Sequence, residues 1–168
     1  TKNTGVVYGG RIRFFNVKIQ GSTHVPPPHT EVKKHVRNFF KWYSANKTKL
    51  HPFELAALIH AKLAWIHPFE DGNGRTGRIL LNAILLENGY PPLIIRKTSR
   101  VAYFSSLEAY DHGHKNKLER FLLDKLKNTF LINWNQKWTE FNRIEYKLFR
   151  LKQSDYIFER NPKGEKKK

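Results

Sequence analysis

HPFEDGNGRTGR, residues 67–78, is the stretch on which the reading of this chain turns. Gly72 and Gly74 alternate with Asp71 and Asn73 immediately before a helix start. Glycine lets the backbone bend so that successive N–H groups point at one place, and a helix N-terminus adds its positive end. Such a loop is a phosphate cradle. Arg75 and Arg78, three apart, share a face of the first helical turn. Cations there oppose the helix macrodipole at about 0.3–1 kcal/mol each unless an anion compensates. Pairing of both with Glu70, Asp71 or Glu87 would be a structural network, but it leaves the glycines unexplained. Asp71, the only carboxylate embedded in the loop, can hold Mg²⁺, which takes one or two carboxylates with phosphate oxygens and water. It can also cap the N–H of Asn73 or Gly74. His67 stands at the loop's mouth, held by Pro68. With an ordinary pKa near 6.5 it is largely neutral at physiological pH and able to accept a proton. A lone histidine is more often structural, as His60 reads. The loop lacks the Lys-Ser/Thr ending of a P-loop and the glycine spacing of a dinucleotide fold. The chemistry it suits is phosphoryl or nucleotidyl transfer with a histidine base.

Working outward, the segment 52–66 (PFELAALIHAKLAWI) is apolar nearly all round, as a central, buried helix is. Pro52 suits its first turn and Pro68 ends it. After the loop, Ile79, Leu80, Ala83, Ile84 and Leu86 continue a helix that Asn88-Gly89 and Pro91-Pro92 stop. A fourth helix begins near Ser99, with Tyr103, Phe104, Leu107 and Tyr110 on one face, and Asp111-His112-Gly113 breaks it. Helical pattern returns over 117–152. Toward the N-terminus, Thr30 is the expected cap of a helix running to about Ser44. Before it, Pro26-Pro27-Pro28 forces an extended stretch. Residues 11–20 (RIRFFNVKIQ), between Gly9-Gly10 and Gly21-Ser22, read as β-structure, half of a hairpin spanning about 11–22. The fold expected is mainly α with this small β element. One domain covers 1–152, and the basic tail 153–168 is expected to be flexible.

The 168 residues carry a formal charge of +17, and residues 1–50 hold ten Lys or Arg against one acid, Glu31. A basic surface favours anionic partners but does not speak to fold. There is no cysteine, so no disulfide framework or thiolate metal site is available, and a cytoplasmic, reducing location fits. No apolar run approaches a membrane span. A chain without methionine that opens at Thr1 reads as an excised or processed piece.

Every defined position of 67–78 matches the signature of the Fic family (His-Pro-Phe, any residue, Asp or Glu, Gly-Asn-Gly-Arg, two variable, Arg), and the chain resembles that family over roughly residues 5–125. VKIQGSTHVPPP looks like the family's flap, HPFELAALIHAKLAWI like the helix before the signature, and NGYPPLIIRKTSRVAYFSSLEAY like the stretch after the following helix. The resemblance implies a helical Fic-type fold with a β-hairpin flap and transfer of AMP from ATP to a Ser, Thr or Tyr hydroxyl of a protein. Carried onto matching positions, His67 would be the general base and Asp71 the Mg²⁺ ligand. Asn73, with the N–H groups of Gly72 and Gly74, would steady the α-phosphate, while Arg75 and Arg78 would grip the β- and γ-phosphates. Arg100 and Tyr103 fall where the family packs adenine. The flap would bind the protein substrate by strand addition, and a homodimer is within the family's range.

Two departures matter. The kinase-like branch has Lys where this chain has Gly74, which favours AMP transfer. The family's inhibitory Ser/Thr-x-x-x-Glu-Gly/Asn motif is missing, since Ser154 and Glu159 have the wrong spacing. Either inhibition comes from a segment upstream of Thr1 or from a partner, or the core is unrestrained. The alternatives are a nucleotide-binding regulatory scaffold, a de-AMPylase, and a basic nucleic-acid-binding module. No zinc, RNP or helix-turn-helix signature supports the last.

Overall fold

The computed structural model describes residues 10–133. The expected helical content at 134–152 and the tail at 153–168 lie outside the described residues, as do residues 1–9.

Among the described residues five helices make the body. They are α1 (His29–Asn46), α2 (Pro52–Ile66), α3 (Asn73–Glu87), α4 (Arg100–Asp111) and α5 (Lys115–Asn133), and a 3₁₀ turn, Lys97–Ser99, leads into α4. Helix α2 is the axis: it packs most extensively on α3 and also touches α1, α4 and α5. Its apolar circumference requires this, because Phe53, Leu55, Ala56, Ile59, Leu63 and Ile66 point to different neighbours and all are buried. Helix α5 pairs with α4 and adds Leu118, Leu122, Leu123 and Leu126 to the core. No helix among the described residues is long and apolar enough to cross a membrane.

Helix ends follow local chemistry. His51 Nδ1 accepts from the Phe53 N–H (3.2 Å), with Pro52 at the first helical position of α2. Helix α3 closes with paired bonds, Tyr90 N–H to Leu85 O and Gly89 N–H to Leu86 O, around Gly89 at φ 79°. That is the left-handed stop foreseen from Asn88-Gly89. Asn82 on α3 then exchanges both amide bonds with the Leu93 backbone and so aims the chain toward α4.

Two expectations are corrected. Thr30 does not cap α1. The helix starts at His29, whose N–H donates to Asn16 Oδ1 at 2.9 Å, so the cap comes from a residue 13 positions upstream. Nor is there a β-hairpin at 11–22, for the segment contains no strand. Its backbone meets the body through Arg13 N–H to Pro68 O, and turns at Gly21 (φ 81°) with Ser22 N–H on Ile19 O. With no second strand beside it among the described residues, alternation yields an extended segment and not a ladder.

At the centre, Gly77 of α3 lies against His60 of α2. A Cβ at position 77 would sit 3.0 Å from His60 Nδ1, so glycine permits the close approach of these two helices. His60 is 1% exposed. Its Nε2 is 2.7 Å from the Tyr103 hydroxyl, while Nδ1 faces the Gly77 backbone with no hydrogen-bond partner. Burial pushes the ring's pKa down to about 4; the Gly77 backbone offsets part of this and Arg78's charge adds to it. The unfolded chain therefore binds more protons than the native one between that value and about 6.5. The stability this contributes is complete above pH 6.5 and lost as pH falls toward 4, on the order of 3 kcal/mol at most. Urea unfolding across this range should show that loss, and His60→Gln should flatten this part of the profile.

Candidate active site

The sequence between α2 and α3 builds the site. Leu63 O accepts the His67 N–H (2.9 Å), closing α2, and His67 then takes a left-handed conformation (φ 49°, ψ 59°). It is the only non-glycine residue with positive φ among those described. Such a conformation costs energy in a residue with a Cβ and persists only where neighbours impose it. Pro68 follows in a buried position. Arg13, 3% exposed, supplies the other constraint: its Nε donates to His67 O at 2.8 Å, Nη1 to Phe15 O at 3.0 Å, and Nη2 to Pro27 O. One guanidinium thus ties the segment before α1 to the peptide that carries the histidine.

His67 Nδ1 lies 3.4 Å from Ala64 O, a long contact that places the proton on Nδ1 and leaves Nε2 as the lone-pair nitrogen. Its pKa is lowered, chiefly by burial; the Ala64 carbonyl works the other way, and the charges of Arg13 and His24 lower it further. The ring is accordingly a free base at neutral pH.

Beyond it the loop is closed by Asn73, whose Oδ1 accepts from Phe69 N–H and whose Nδ2 donates to Phe69 O, both at 2.8 Å. Asn73 is 4% exposed. Gly72, at φ 85°, accepts both the N–H (2.8 Å) and the hydroxyl (3.0 Å) of Thr76 and so starts α3. The N–H groups of Asn73, Gly74 and Arg75 precede the first helical bond and have no partner among the described residues. Arg78 also has no ion-pair partner among them. Asp71 and Arg75 pair with each other: Asp71 Oδ1 accepts from Gly72 N–H (2.6 Å) and Oδ2 meets Arg75 Nη2 at 3.0 Å. Both side chains are about two-thirds exposed, so water screens the pair and it holds little energy.

His67, Asn73, Gly74 and Arg78 line one cavity of about 160 Å³. Its opposite wall is α4, through Tyr103, Phe104 and Leu107. The structure therefore brings the histidine, the free N–H groups, one arginine and Tyr103 together. It does not bring in Asp71, Gly72, Arg75 or Arg100, none of which lines the cavity: the Gly72 N–H is taken by Asp71 Oδ1, and Arg100 is exposed and packs over the Phe104 ring (5.4 Å). Burial raises the Tyr103 pKa to about 12, partly countered by Arg78, so its hydroxyl stays neutral.

Three residues at the site were not singled out from sequence. Arg13 is one. The others are Glu108, whose Oε1 accepts from Ser22 Oγ, Thr23 N–H and Thr23 Oγ1 (3.2, 2.8 and 3.0 Å), and His24. His24 bridges Asp111 Oδ2 (3.1 Å) and Trp65 O (3.0 Å). Together they strap residues 22–24 across the cavity. An acid beside Leu107 on an otherwise apolar helix face was the one available signal for Glu108. Its carboxyl is held below the ordinary range, first by the Thr23 N–H. Glu108→Ala should speed amide hydrogen exchange at Thr23 and His24 while α2 keeps its protection; unchanged exchange there would show that the strap is held by other contacts.

Residues 2–85 match the profile of the Fic/DOC family. The chain belongs to that family. "Protein adenylyltransferase Fic" of Nematostella vectensis is 44% identical over 111 residues, which is 66% of this chain and 26% of the relative. The chain thus spans about a quarter of the curated relatives it matches. Among solved structures, a variant of Fic-1 from C. elegans superposes with a TM-score of 0.64 at 33% identity, covering 73% of this chain and 36% of that one. A Fic domain containing signaling protein from Bacteroides thetaiotaomicron gives 0.67 at 26% identity, over 74% and 54% of the two chains. The mainly helical fold expected from the Fic signature is the fold observed.

Proposed function

We propose that this Fic domain moves AMP from ATP to a Ser, Thr or Tyr hydroxyl of a protein. The observation that carries the reading is the convergence on one cavity of a neutral histidine, a helix start whose first N–H groups have no partner among the described residues, and an arginine with no ion-pair partner among them. The curated relatives named protein adenylyltransferase support the same chemistry.

In this reaction the substrate hydroxyl gives its proton to His67 Nε2 as its oxygen attacks the α-phosphorus. The bond from that phosphorus to the bridging oxygen breaks, and pyrophosphate leaves. The N–H groups of Asn73 and Gly74 would meet the charge that builds on the α-phosphate. The Asn73 side chain is already spent on Phe69, so its part is to hold the loop's shape. Arg78, joined by Arg75 once it leaves Asp71, neutralises the outgoing phosphates. Tyr103, Phe104 and Leu107 offer an apolar wall for the base. Among the described residues no three carboxylate or imidazole side chains are arranged to hold a metal ion by themselves. A divalent cation must then be completed by phosphate oxygens and water, which suits Mg²⁺ and the single, solvent-facing Asp71. Bound there, Mg²⁺ would screen the polyphosphate charge.

The protein substrate would lie along residues 14–22, which carry backbone groups outside any ladder, and gain backbone bonds as an added strand. Inhibition by a carboxylate from outside these 168 residues, directed at Arg78, and a cytoplasmic location belong to the same reading. The test is incubation with Mg²⁺ and ATP labelled at the α-phosphate, with a cell lysate as acceptor. Label on protein is expected. Label transferred only from the γ-position would make the domain a kinase, and tight ATP binding with no transfer would make it a scaffold.

A further inference from the structure

The strap at residues 22–24 is anchored on one side and hinged on the other. Pro26 and Pro27 are buried, and Arg13 holds Pro27 O. Gly21, in contrast, turns with φ 81°, and a Cβ there would meet nothing within 4 Å. Between hinge and anchor, Ile19, Ser22 and His24 form one side of the cavity that His67 lines. Glu108 binds Ser22 and Thr23. His24 makes the remaining attachment.

One ring there faces two oxygens. His24 Nε2 lies 3.0 Å from Trp65 O and Nδ1 lies 3.1 Å from Asp111 Oδ2, with the side chain 12% exposed. A carbonyl can only accept, so Nε2 carries a proton. A lone pair on Nδ1 would then stand against a carboxylate oxygen, and the two would repel. The contact is attractive only when a further proton lies between them, on Nδ1 or on Asp111. Either way the pair holds one proton more than a neutral imidazole beside a carboxylate. Burial raises the Asp111 carboxyl while the charge of His24 opposes that, so the two groups titrate as a pair. Trp65 O belongs to the last turn of α2, where a cation is favoured.

We infer that His24 and Asp111 form a proton-held latch on the strap, shut while the pair keeps its shared proton and released as rising pH removes it. After that loss the neutral ring can donate to one oxygen only. The strap is then free to swing at Gly21 and open the His67 cavity on that side, with Glu108 as its remaining hold. The Glu108 carboxyl is kept below the ordinary range, first by the Thr23 N–H, so it stays ionised and its hold is constant. The other titratable groups around the pair are His112 and Tyr110 beside Asp111, His67 across the cavity, and His35, whose ring meets Trp65 at 5.1 Å.

NMR of the full 168-residue chain tests the latch. The pH is raised from about 5 to about 9, a span that covers the imidazole range. Two-bond ¹H–¹⁵N spectra read the protons on the His24 ring. Exchange rates of the Thr23 and His24 amides, divided by those of an unstructured chain, read the strap. In the parent, that ratio should rise about tenfold or more as the shared proton leaves, the effect of losing one bond to a charged group. Asp111→Asn separates the latch from a simple contact. Its amide donates to Nδ1 without the extra proton, so the strap should stay shut at every pH. His24→Gln should leave it loose at every pH. His35→Gln, His67→Gln and His112→Gln should each keep the parent's pH dependence, with protection of α2 showing that every variant is folded. A parent strap indifferent to pH, an Asp111→Asn strap that still loosens, loss of the dependence in any of the other three, or an Nε2 without its proton while the strap is shut would overturn the assignment. None of these outcomes depends on whether AMP is transferred at His67.

Discussion

Replacing His67 by alanine should lower the proposed AMP transfer by roughly 10²–10⁴-fold, the usual contribution of a positioned general base. ATP affinity should change little, because the groups placed to meet phosphate are the N–H donors of α3 and Arg78, and neither touches the imidazole in the contacts described. The pH profile carries the mechanism. His67 is pushed below its ordinary value mainly by burial, so the fraction of free base grows as pH rises through a pKa below 6.5 and is complete above it. kcat/KM should therefore climb on the acid side, level off before neutrality and show no further gain from this group. Label incorporation measured under single-turnover conditions separates this from slow product release. If His67→Ala transferred AMP at the native rate, the base would have to be sought elsewhere in the cavity.

The second large effect belongs to a residue with no part in the chemistry. Arg13→Leu keeps the apolar stem but strips donors from the carbonyls of His67, Phe15 and Pro27. Each bond from a charged donor is worth about 1.5–3 kcal/mol, and of the three only the one to Pro27 O is fully buried. With partial rescue by water, the loss should be on the order of 4 kcal/mol, read as a lower denaturation midpoint at unchanged slope. Arg13→Lys should recover only part of it, since an ammonium cannot reproduce the planar fork that reaches three carbonyls. Activity in the folded fraction should also fall, because the left-handed peptide at His67 loses the group that pins its oxygen. A variant within about 1 kcal/mol of the parent would mean that Pro68 and α2 alone impose that conformation.

These two residues mark what the sequence did and did not make legible. His67 was readable because its neighbours are local punctuation: proline ends one helix, glycines start the next, and the chemistry lies between them. The same holds for the stop of α3 at Gly89 and for the buried character of α2. Arg13 was opaque because its partners are 2, 14 and 54 positions away. Alternation around it suggested a strand, yet what fixes that segment is side-chain bonding by Arg13 and Asn16 and the capture of Ser22 and Thr23 by Glu108. The start of α1 was displaced for a related reason, with a distant asparagine supplying the cap that Thr30 was expected to give. Arg100 and Tyr103, three apart, share a helix but not a destination: burial against His60 fixes one in the cavity wall, while the other lies out over Phe104.

The closed ring between Asn73 and Phe69 also bears on how the protein ages. Asn-Gly pairs lose ammonia when the glycine nitrogen attacks the side-chain carbonyl, and this chain has two, Asn73-Gly74 and Asn88-Gly89. At Asn73 the carbonyl oxygen is held by the Phe69 N–H, the amide is tied to Phe69 O, and the residue opens a helix, so the attacking geometry is denied. Asn88 is exposed just past the end of α3, where its side-chain Nδ2 donates to Ile84 O but its side-chain carbonyl oxygen accepts no bond from the described residues. Chemical wear in storage should thus begin at the stop of α3 and spare the loop beside His67.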